Sequence, residues 1–225
     1  MKVIAHIYTE FPEKFGIPRQ SGLVRSLQGK IVFDPEYRVA EAVKGLEEYS
    51  HIWLLWKFSE AEREKWSPTV RPPRLGGKKR VGVFATRSPF RPNPIGLSSV
   101  KLEKVAYEER LGPVIYVSGI DMLDGTPIYD IKPYLSYCDS HADANCGFAD
   151  EVKNHVLSVT YDPKWEEAVG EEHMQTICDI LAQDPRTAYV DDDQREWGLA
   201  YKGYNIKFSV RGESLRIIDV AEVRK

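Results

Sequence analysis

The chain has 225 residues, 42% hydrophobic and 29% charged, with a mean hydropathy of −0.41, which is enough apolar material for one or two packed domains. Its longest apolar run, His51-Ile52-Trp53-Leu54-Leu55-Trp56, stops at Lys57, far short of the ~20 residues of a membrane span. The net charge of −3 divides unevenly: residues 1–138 sum to +5 and residues 139–225 to −8, so any anionic partner is expected on the first part.

The first 135 residues read mainly as strands. Short runs rich in Val, Ile and aromatics cover residues 2–10, 29–34, 51–58, 81–87, 99–109 and 114–123, separated by Gly, Pro and charged clusters. The 51–56 run lacks alternation, which predicts a strand buried on both faces. Between the second and third strands, Asp34-Pro35 offers an N-cap and a proline at the first helical position, predicting a short helix through Ala40, Val43 and Leu46. Many strands and few helices point to a barrel or closed mixed sheet. The character changes near residue 150. Residues 155–161 read as a strand, 163–183 as helical with a break at Gly170, and 198–211 and 214–220 as two strands. The expected division is therefore a mainly β domain over residues 1–150 and a small α+β domain over 151–225.

The initial apolar residues meet Glu10 early, so no signal peptide is expected. Three cysteines, Cys138, Cys146 and Cys178, form no C-x-x-C pair, which argues against a disulfide framework or structural zinc and for a reducing, cytoplasmic setting. No G-x-G-x-x-G, P-loop or H-E-x-x-H motif is present, and the five histidines are scattered, so no metal is expected. His51 reads as a structural histidine within its strand.

Four polar clusters are not explained by folding. Gly16-Ile17-Pro18-Arg19-Gln20-Ser21-Gly22 presents Arg19 and Gln20 from a stiff turn. Arg71-Pro72-Pro73-Arg74-Leu75-Gly76-Gly77 carries two guanidiniums on a proline-stiffened segment. Residues 85–98 place Pro89, Pro92 and Pro94 within six positions, so this loop has an imposed shape. The fourth cluster brings Asp121, Asp124 and Asp130 within ten residues, with Asp124-Gly125 as a turn signal. Residues 66–102 also hold eight basic residues, among them Arg71, Arg74, Lys78, Lys79, Arg80, Arg87 and Arg91, and no acidic one. Stiff loops bearing both guanidinium and carboxylate groups suit a zwitterionic ligand, and the one-signed stretch suits phosphate or nucleic acid.

Taken together, residues 71–77, 82–98 and 121–134 resemble the signature stretches of the TsaA-like family, whose best-understood members are the TrmO-type tRNA methyltransferases. The order matches as well, from Pro18-Arg19-Gln20-Ser21-Gly22-Leu23 through Tyr49-Ser50-His51-Ile52-Trp53-Leu54 to Asp124-Gly125-Thr126-Pro127. Asp184-Pro185-Arg186 and the following strands resemble the C-terminal extension of the bacterial branch. The resemblance implies a single-sheeted β-barrel that binds S-adenosylmethionine without a dinucleotide-binding domain. It also implies methyl transfer to N6 of N6-threonylcarbamoyladenosine beside the anticodon of certain tRNAs, by a homodimer. Carried over by position, the cofactor contacts would be Pro18, Arg19, Gln20, Arg87, Leu97, Asp121, Met122, Leu123 and Asp124. Family members place a histidine and a polar neighbour where this chain has Ser59-Glu60, so no contact is carried onto those two. Methyl transfer from a sulfonium is an in-line displacement that needs alignment and no acid, in keeping with the lack of a triad or metal. Asp121, Asp124 or Asp130 could accept the departing proton, and the sequence does not choose among them. By charge alone, Arg71, Arg74, Lys78, Lys79, Arg80 and Arg91 are the expected contacts to the anticodon arm of the tRNA. The competing readings are a non-catalytic RNA-binding barrel and a hydrolase or ligase of small phosphorylated metabolites; the latter requires a nucleophile or metal constellation not found in the sequence.

Overall fold

A computed structural model of the protein describes residues 1–61, 65–75, 79–152, 155–186, 192 and 194–223, with the side chains of Arg74 and Val152 set aside. Six strands close into an antiparallel barrel: β1 (Ala5–Thr9), β2 (Gln28–Phe33), β3 (His51–Lys57), β6 (Ile95–Glu108), β7 (Gly112–Ser118) and β8 (Thr126–Pro133), in the spatial order β1-β2-β7-β6-β3-β8. Between β3 and β6 runs a two-stranded flap of β4 (Thr69–Val70) and β5 (Val81–Gly82). Closure removes every strand edge, which a small antiparallel sheet would otherwise leave open to association. Inward positions alternate along each strand, so Ile7, Ile31, Ile52, Leu54, Val100, Ile115, Val117 and Ile128 fill the interior. The long β6 bends between partners, pairing with β3 over residues 95–101 and with β7 beyond that, with a register shift between Leu102 and Lys104.

Several expectations are corrected. Strand β3 alternates, with Ile52, Leu54 and Trp56 buried and His51 exposed. Its outer face reads as apolar because Trp53 is covered by Tyr134, 5.5 Å between ring centroids, and donates Nε1–H to Asp139 at 2.8 Å. The predicted helix after Asp34 is three separate 3-10 turns, Pro35–Tyr37, Ala40–Val43 and Leu46–Glu48. The Asp34 carboxylate bonds His6 Nδ1 at 3.1 Å instead of capping, and Val43 alone of these residues is buried, so no apolar stripe holds a helix together. The expected strand 81–87 ends at Gly82 and passes into a 3-10 turn at Val83–Ala85. Arg91 Nη1 takes the carbonyls of Val83 and Thr86, acceptors that a continuing strand would have used. The strand expected over 114–123 stops at Ser118, where Gly119 (φ +74°) turns the chain, and residues 126–133, read as loop, form β8.

The second unit holds α1 (Ser136–Asp139) and α2 (Ala149–Val152) on the connection, then β9 (Ser158–Thr160), α3 (Pro163–Val169) and α4 (Glu171–Ala182). The helices break at Gly170 as expected (φ +87°), and Asp162 caps α3 by accepting from Lys164 N–H. The stretch 198–211 is a hairpin rather than one strand. Strands β10 (Trp197–Tyr201) and β11 (Tyr204–Arg211) turn at Lys202-Gly203, both with positive φ, as a two-residue primed turn demands. With β12 (Ser214–Glu222) and the parallel β9 they make a four-stranded sheet, order β10-β11-β12-β9. This sheet and α4 pack onto the loop after β1: Phe11 meets Tyr201, Phe15 stacks on Trp197, and Gly16 lies so close to Leu199 that a Cβ there would overlap it. Among the described residues, no helix is long and apolar enough to cross a membrane.

Candidate active site

One end of the barrel gathers three of the four polar clusters. Trp56, buried on the inner face of β3, donates Nε1–H to Ser98 Oγ at 3.0 Å, and Ser98 donates its hydroxyl to Asp121 Oδ1 at 2.7 Å. Backbone N–H groups of Asp121 and Ser21 also point at this carboxylate, and the Arg87 guanidinium acts on it electrostatically. Arg87 in turn donates to Gln20 Oε1, and Gln20 Nε2 to the Arg19 carbonyl. Residues from the loop after β1, the Pro-rich loop and the β7–β8 connection thus converge on one group. Burial pushes the Asp121 carboxyl up to about 6, against the hydrogen bonds from Ser98 and the two amides and the Arg87 charge, all of which pull it down. The result is an ionised carboxylate at neutral pH with far less water around it than an ordinary aspartate has.

The anchor of this arrangement is a glycine. Gly96 lies two residues before Ser98 on the same inward face of β6, and a Cβ there would overlap the Trp56 indole. Gly96→Ala is expected to cost about 1–3 kcal/mol of stability through overpacking and to displace Trp56 from Ser98. Urea unfolding with Trp emission as the probe checks both, and an unchanged midpoint and spectrum would refute the expectation.

The remaining candidates separate by geometry. Asp124 is exposed and accepts the Thr9 N–H at 2.9 Å, while its own N–H goes to the Phe11 carbonyl, so it fastens the β7–β8 connection to β1. Met122 is buried, and its carbonyl accepts from Thr9 Oγ1; the Leu123 carbonyl accepts from Thr126 Oγ1. Asp130 is paired in register with Leu55 on the outer face of the barrel and bonded to Lys132 Nζ at 2.9 Å. The structure does not bring it to Asp121. Leu97 belongs to β6 rather than to the Pro-rich loop; it is 56% exposed and paired with Leu55, facing opposite to Ser98. Arg91 braces its own loop through the carbonyls of Val83 and Thr86. Arg71, Lys79 and Arg80 are exposed around the flap, Arg80 donating to Thr69 Oγ1 at 3.1 Å. Lys78 and the Arg74 side chain lie outside the described residues. Glu60 pairs with Lys14 at 2.9 Å. Sequence patterns give Ser98 and Trp56 no role. Their one signal is the Gly96/Ser98 alternation of small residues on a face that meets a tryptophan.

Beside Arg19 opens a cleft of about 400 Å³ between the first loop and the C-terminal unit, lined among others by Lys14, Pro18, Arg19, Pro73, Gln183 and Arg186. Its floor is the Asp184-Pro185-Arg186 turn. Arg19 Nη2 donates to the carbonyls of Asp184 (3.1 Å) and Arg186 (3.3 Å). The Asp184 side chain is buried and receives Arg186 Nε and Nη2 at 2.8 and 3.0 Å, with His155 Nε2 at 3.1 Å. Burial acts to raise this carboxyl, but the bonds from Arg186 and His155 hold it below the usual range. The C-terminal unit therefore fixes the loop that carries Arg19 and Gln20. Among the described residues no cluster of His, Cys, Asp and Glu could hold a metal ion.

The comparisons with known proteins agree along nearly the whole chain. Residues 6–140 match the model of the tRNA-methyltransferase O N-terminal domain, and residues 154–223 that of the TrmO C-terminal domain. A tRNA (adenine(37)-N6)-methyltransferase of Escherichia coli K12 is 41% identical over 214 residues, covering 92% of this chain and 90% of the relative. A Pseudomonas aeruginosa protein named as a putative S-adenosylmethionine-dependent methyltransferase, RcsF, is 39% identical over 231 residues, 97% of this chain and 96% of its own. A crystal structure of TrmO from Pseudomonas aeruginosa superposes with a TM-score of 0.77 at 35% identity, covering 99% of this chain and 97% of the other.

Proposed function

Because the chain belongs to the tRNA-methyltransferase O family, we infer that it transfers the methyl group of S-adenosylmethionine to N6 of adenosine 37 in tRNA, and we propose that the acceptor is N6-threonylcarbamoyladenosine. The observation that carries this reading is the desolvated Asp121 carboxylate at the barrel mouth, held between Ser98, the Ser21 amide and Arg87. A partly buried anion favours cations beside it; Arg87 is one, and the cofactor brings a sulfonium and an ammonium. The donor set around Gln20 and Arg87 suits its carboxylate and hydroxyls. The residues present therefore fit the group. When bound, S-adenosylmethionine supplies an electrophilic methyl attached to a positively charged sulfur.

The rest is the work of this chain. Arg87, Gln20 and the backbone around Ser21 bind and orient, so that the acceptor nitrogen can approach in line. Asp121 is ionised at pH 7 and basic enough to take the proton that N6 must lose. Ser98, held by Trp56, fixes the direction of that carboxylate. Asp124 acts as a clasp and Asp130 stays on the outer wall. The division into residues 1–150 and 151–225 gives the second unit the task of steadying the Arg19–Gln20 loop. Family resemblance supports a homodimer, which light scattering of the purified chain reads directly.

The test is calorimetric titration with S-adenosylmethionine in the absence of RNA. The chain is expected to bind it, whereas an RNA-binding barrel without catalysis need not. Arg87→Ala is expected to weaken that binding by about 1.5–3 kcal/mol, roughly ten- to a hundredfold. Equal binding by a folded Arg87→Ala variant would remove Arg87 from the cofactor site.

A further inference from the structure

The acid-free stretch from residue 66 to 102 has a second property that charge does not explain. Two of its large aromatic side chains stand in water: Trp66 is 52% exposed and Phe84 69% exposed. They are far apart in sequence and meet through the flap. Strands β4 and β5 pair Thr69 with Gly82 and Val70 with Val81, and the Val83 N–H closes onto the Pro68 carbonyl. This places the two rings 6.1 Å apart and within 30° of parallel. Arg91, fixed by two carbonyls, lies 5.6 Å from the Phe84 ring. Folding does not require this pair outside, because the neighbouring Val83 is the residue that the turn buries. Phe84 is also three residues from Arg87, on the same braced loop.

We propose that Trp66 and Phe84 form a stacking platform for an unpaired nucleobase of the tRNA anticodon loop, flanking the acceptor adenosine. This rests on the reading that tRNA is the substrate and adds how the chain grips it. Aromatic faces stack on any base, and a base face is available only where RNA is single-stranded, because a helix hides it. The surroundings match that occupant: Arg71, Lys79 and Arg80 are exposed nearby for the flanking phosphates, and no carboxylate of the stretch opposes them. An apolar protein segment would gain nothing from these three cations.

The experiment measures tRNA affinity against salt for the full chain and four variants. Phe84→Ala and Trp66→Ala are each expected to weaken binding about 5- to 100-fold while leaving the log–log salt slope unchanged, since stacking releases no counterions. Phe84→Tyr, which keeps the ring, is expected to bind like the parent. Lys79→Ala/Arg80→Ala is expected to lower the slope by about 0.7–0.9 for each phosphate that is no longer neutralised. Cofactor titration and light scattering on Phe84→Ala are expected to match the parent. The platform is overturned if Phe84→Ala and Trp66→Ala bind tRNA as tightly as the parent, if Phe84→Tyr fails as badly as alanine, or if Phe84→Ala changes the oligomeric state. Weakened RNA affinity in a chain that transfers no methyl group would keep the platform and reject the proposed activity. Full methyl transfer with unchanged affinity in both alanine variants would do the reverse.

Discussion

Asp121→Asn is expected to lower methyl transfer at neutral pH by about 10²- to 10⁴-fold, the usual worth of a positioned proton acceptor. The substitution keeps the shape, and an amide oxygen can still accept from Ser98, but the amide nitrogen cannot accept from the Asp121 and Ser21 N–H groups. It also removes the charge. Burial raises the native carboxyl to about 6 from an ordinary 3.8, so the folded chain holds this proton more tightly than the unfolded chain does. The stability associated with that proton is complete below about pH 4 and is lost as pH rises through about 6. At neutral pH the parent therefore carries a penalty of at most about 3 kcal/mol, which the asparagine variant avoids while giving up an acceptor for the two backbone N–H groups. Activity runs the other way. In the parent, kcat/KM is expected to fall as pH drops below about 6, because the acceptor becomes protonated, and the asparagine variant is expected to lack that limb. Rates between about pH 5 and 8 with parallel urea unfolding measure both sides. A variant close to the parent rate, or one that keeps the acid limb, would show Asp121 to be structural.

How far a sequence reading reaches depends on whether the signal is local. The break at Gly170 and the Asp162-Pro163 start of α3 are local, set by backbone freedom and capping, and the structure has both. Strand β3 is where its apolar run lies, but its alternation is hidden, because the outer residues of a barrel wall are covered by neighbours such as Tyr134 and Asp139. Strand β8 is masked in the sequence because Pro127 and Pro133 read as loop, although both fall near strand ends, where proline is tolerated. The Lys202-Gly203 turn sits inside a strand-like run of apolar and aromatic residues, so a single glycine is the whole of its local signal. The site divides in the same way. Its loops are visible from their prolines and glycines, and Arg87 and Asp121 from the family pattern. The hydrogen bond of Ser98 to Asp121 spans 23 residues, and that of Trp56 to Ser98 spans 42; no local pattern predicts either. Arg91 shows what charge alone leaves out, since its guanidinium also holds up its own loop.

Transfer RNA bearing threonylcarbamoyladenosine is expected to be methylated at least about 10² times faster than the same tRNA transcribed without modification. Two physical causes converge. A carbamoyl group withdraws electrons from N6, so its proton is more acidic than that of a plain exocyclic amine, and a carboxylate such as Asp121 can remove it. The threonyl group adds an anion, and beside Gln20 the chain has a cleft of about 400 Å³ lined by Lys14, Arg19 and Arg186. Among the described guanidiniums of the stiff loops, Arg19 lines this cleft and is assigned this task. Its Nη2 is already oriented by the Asp184 and Arg186 carbonyls, so its direction is set before any ligand arrives, and pre-set donors lose little entropy on binding. A cleft of this kind discriminates against the analogue that lacks the anion, because that analogue gains no charge-assisted hydrogen bond from the oriented guanidinium. The two causes separate in one experiment. Methyl transfer from labelled S-adenosylmethionine is followed on both tRNAs for the parent and for Arg19→Ala. If Arg19 serves by meeting the threonyl carboxylate, its removal slows the modified substrate and spares the unmodified one, whereas if it serves by holding the loop in position, both slow. Comparable rates on the two tRNAs with the parent enzyme would remove the cleft from substrate selection and leave a general adenosine N6-methyltransferase as the better description.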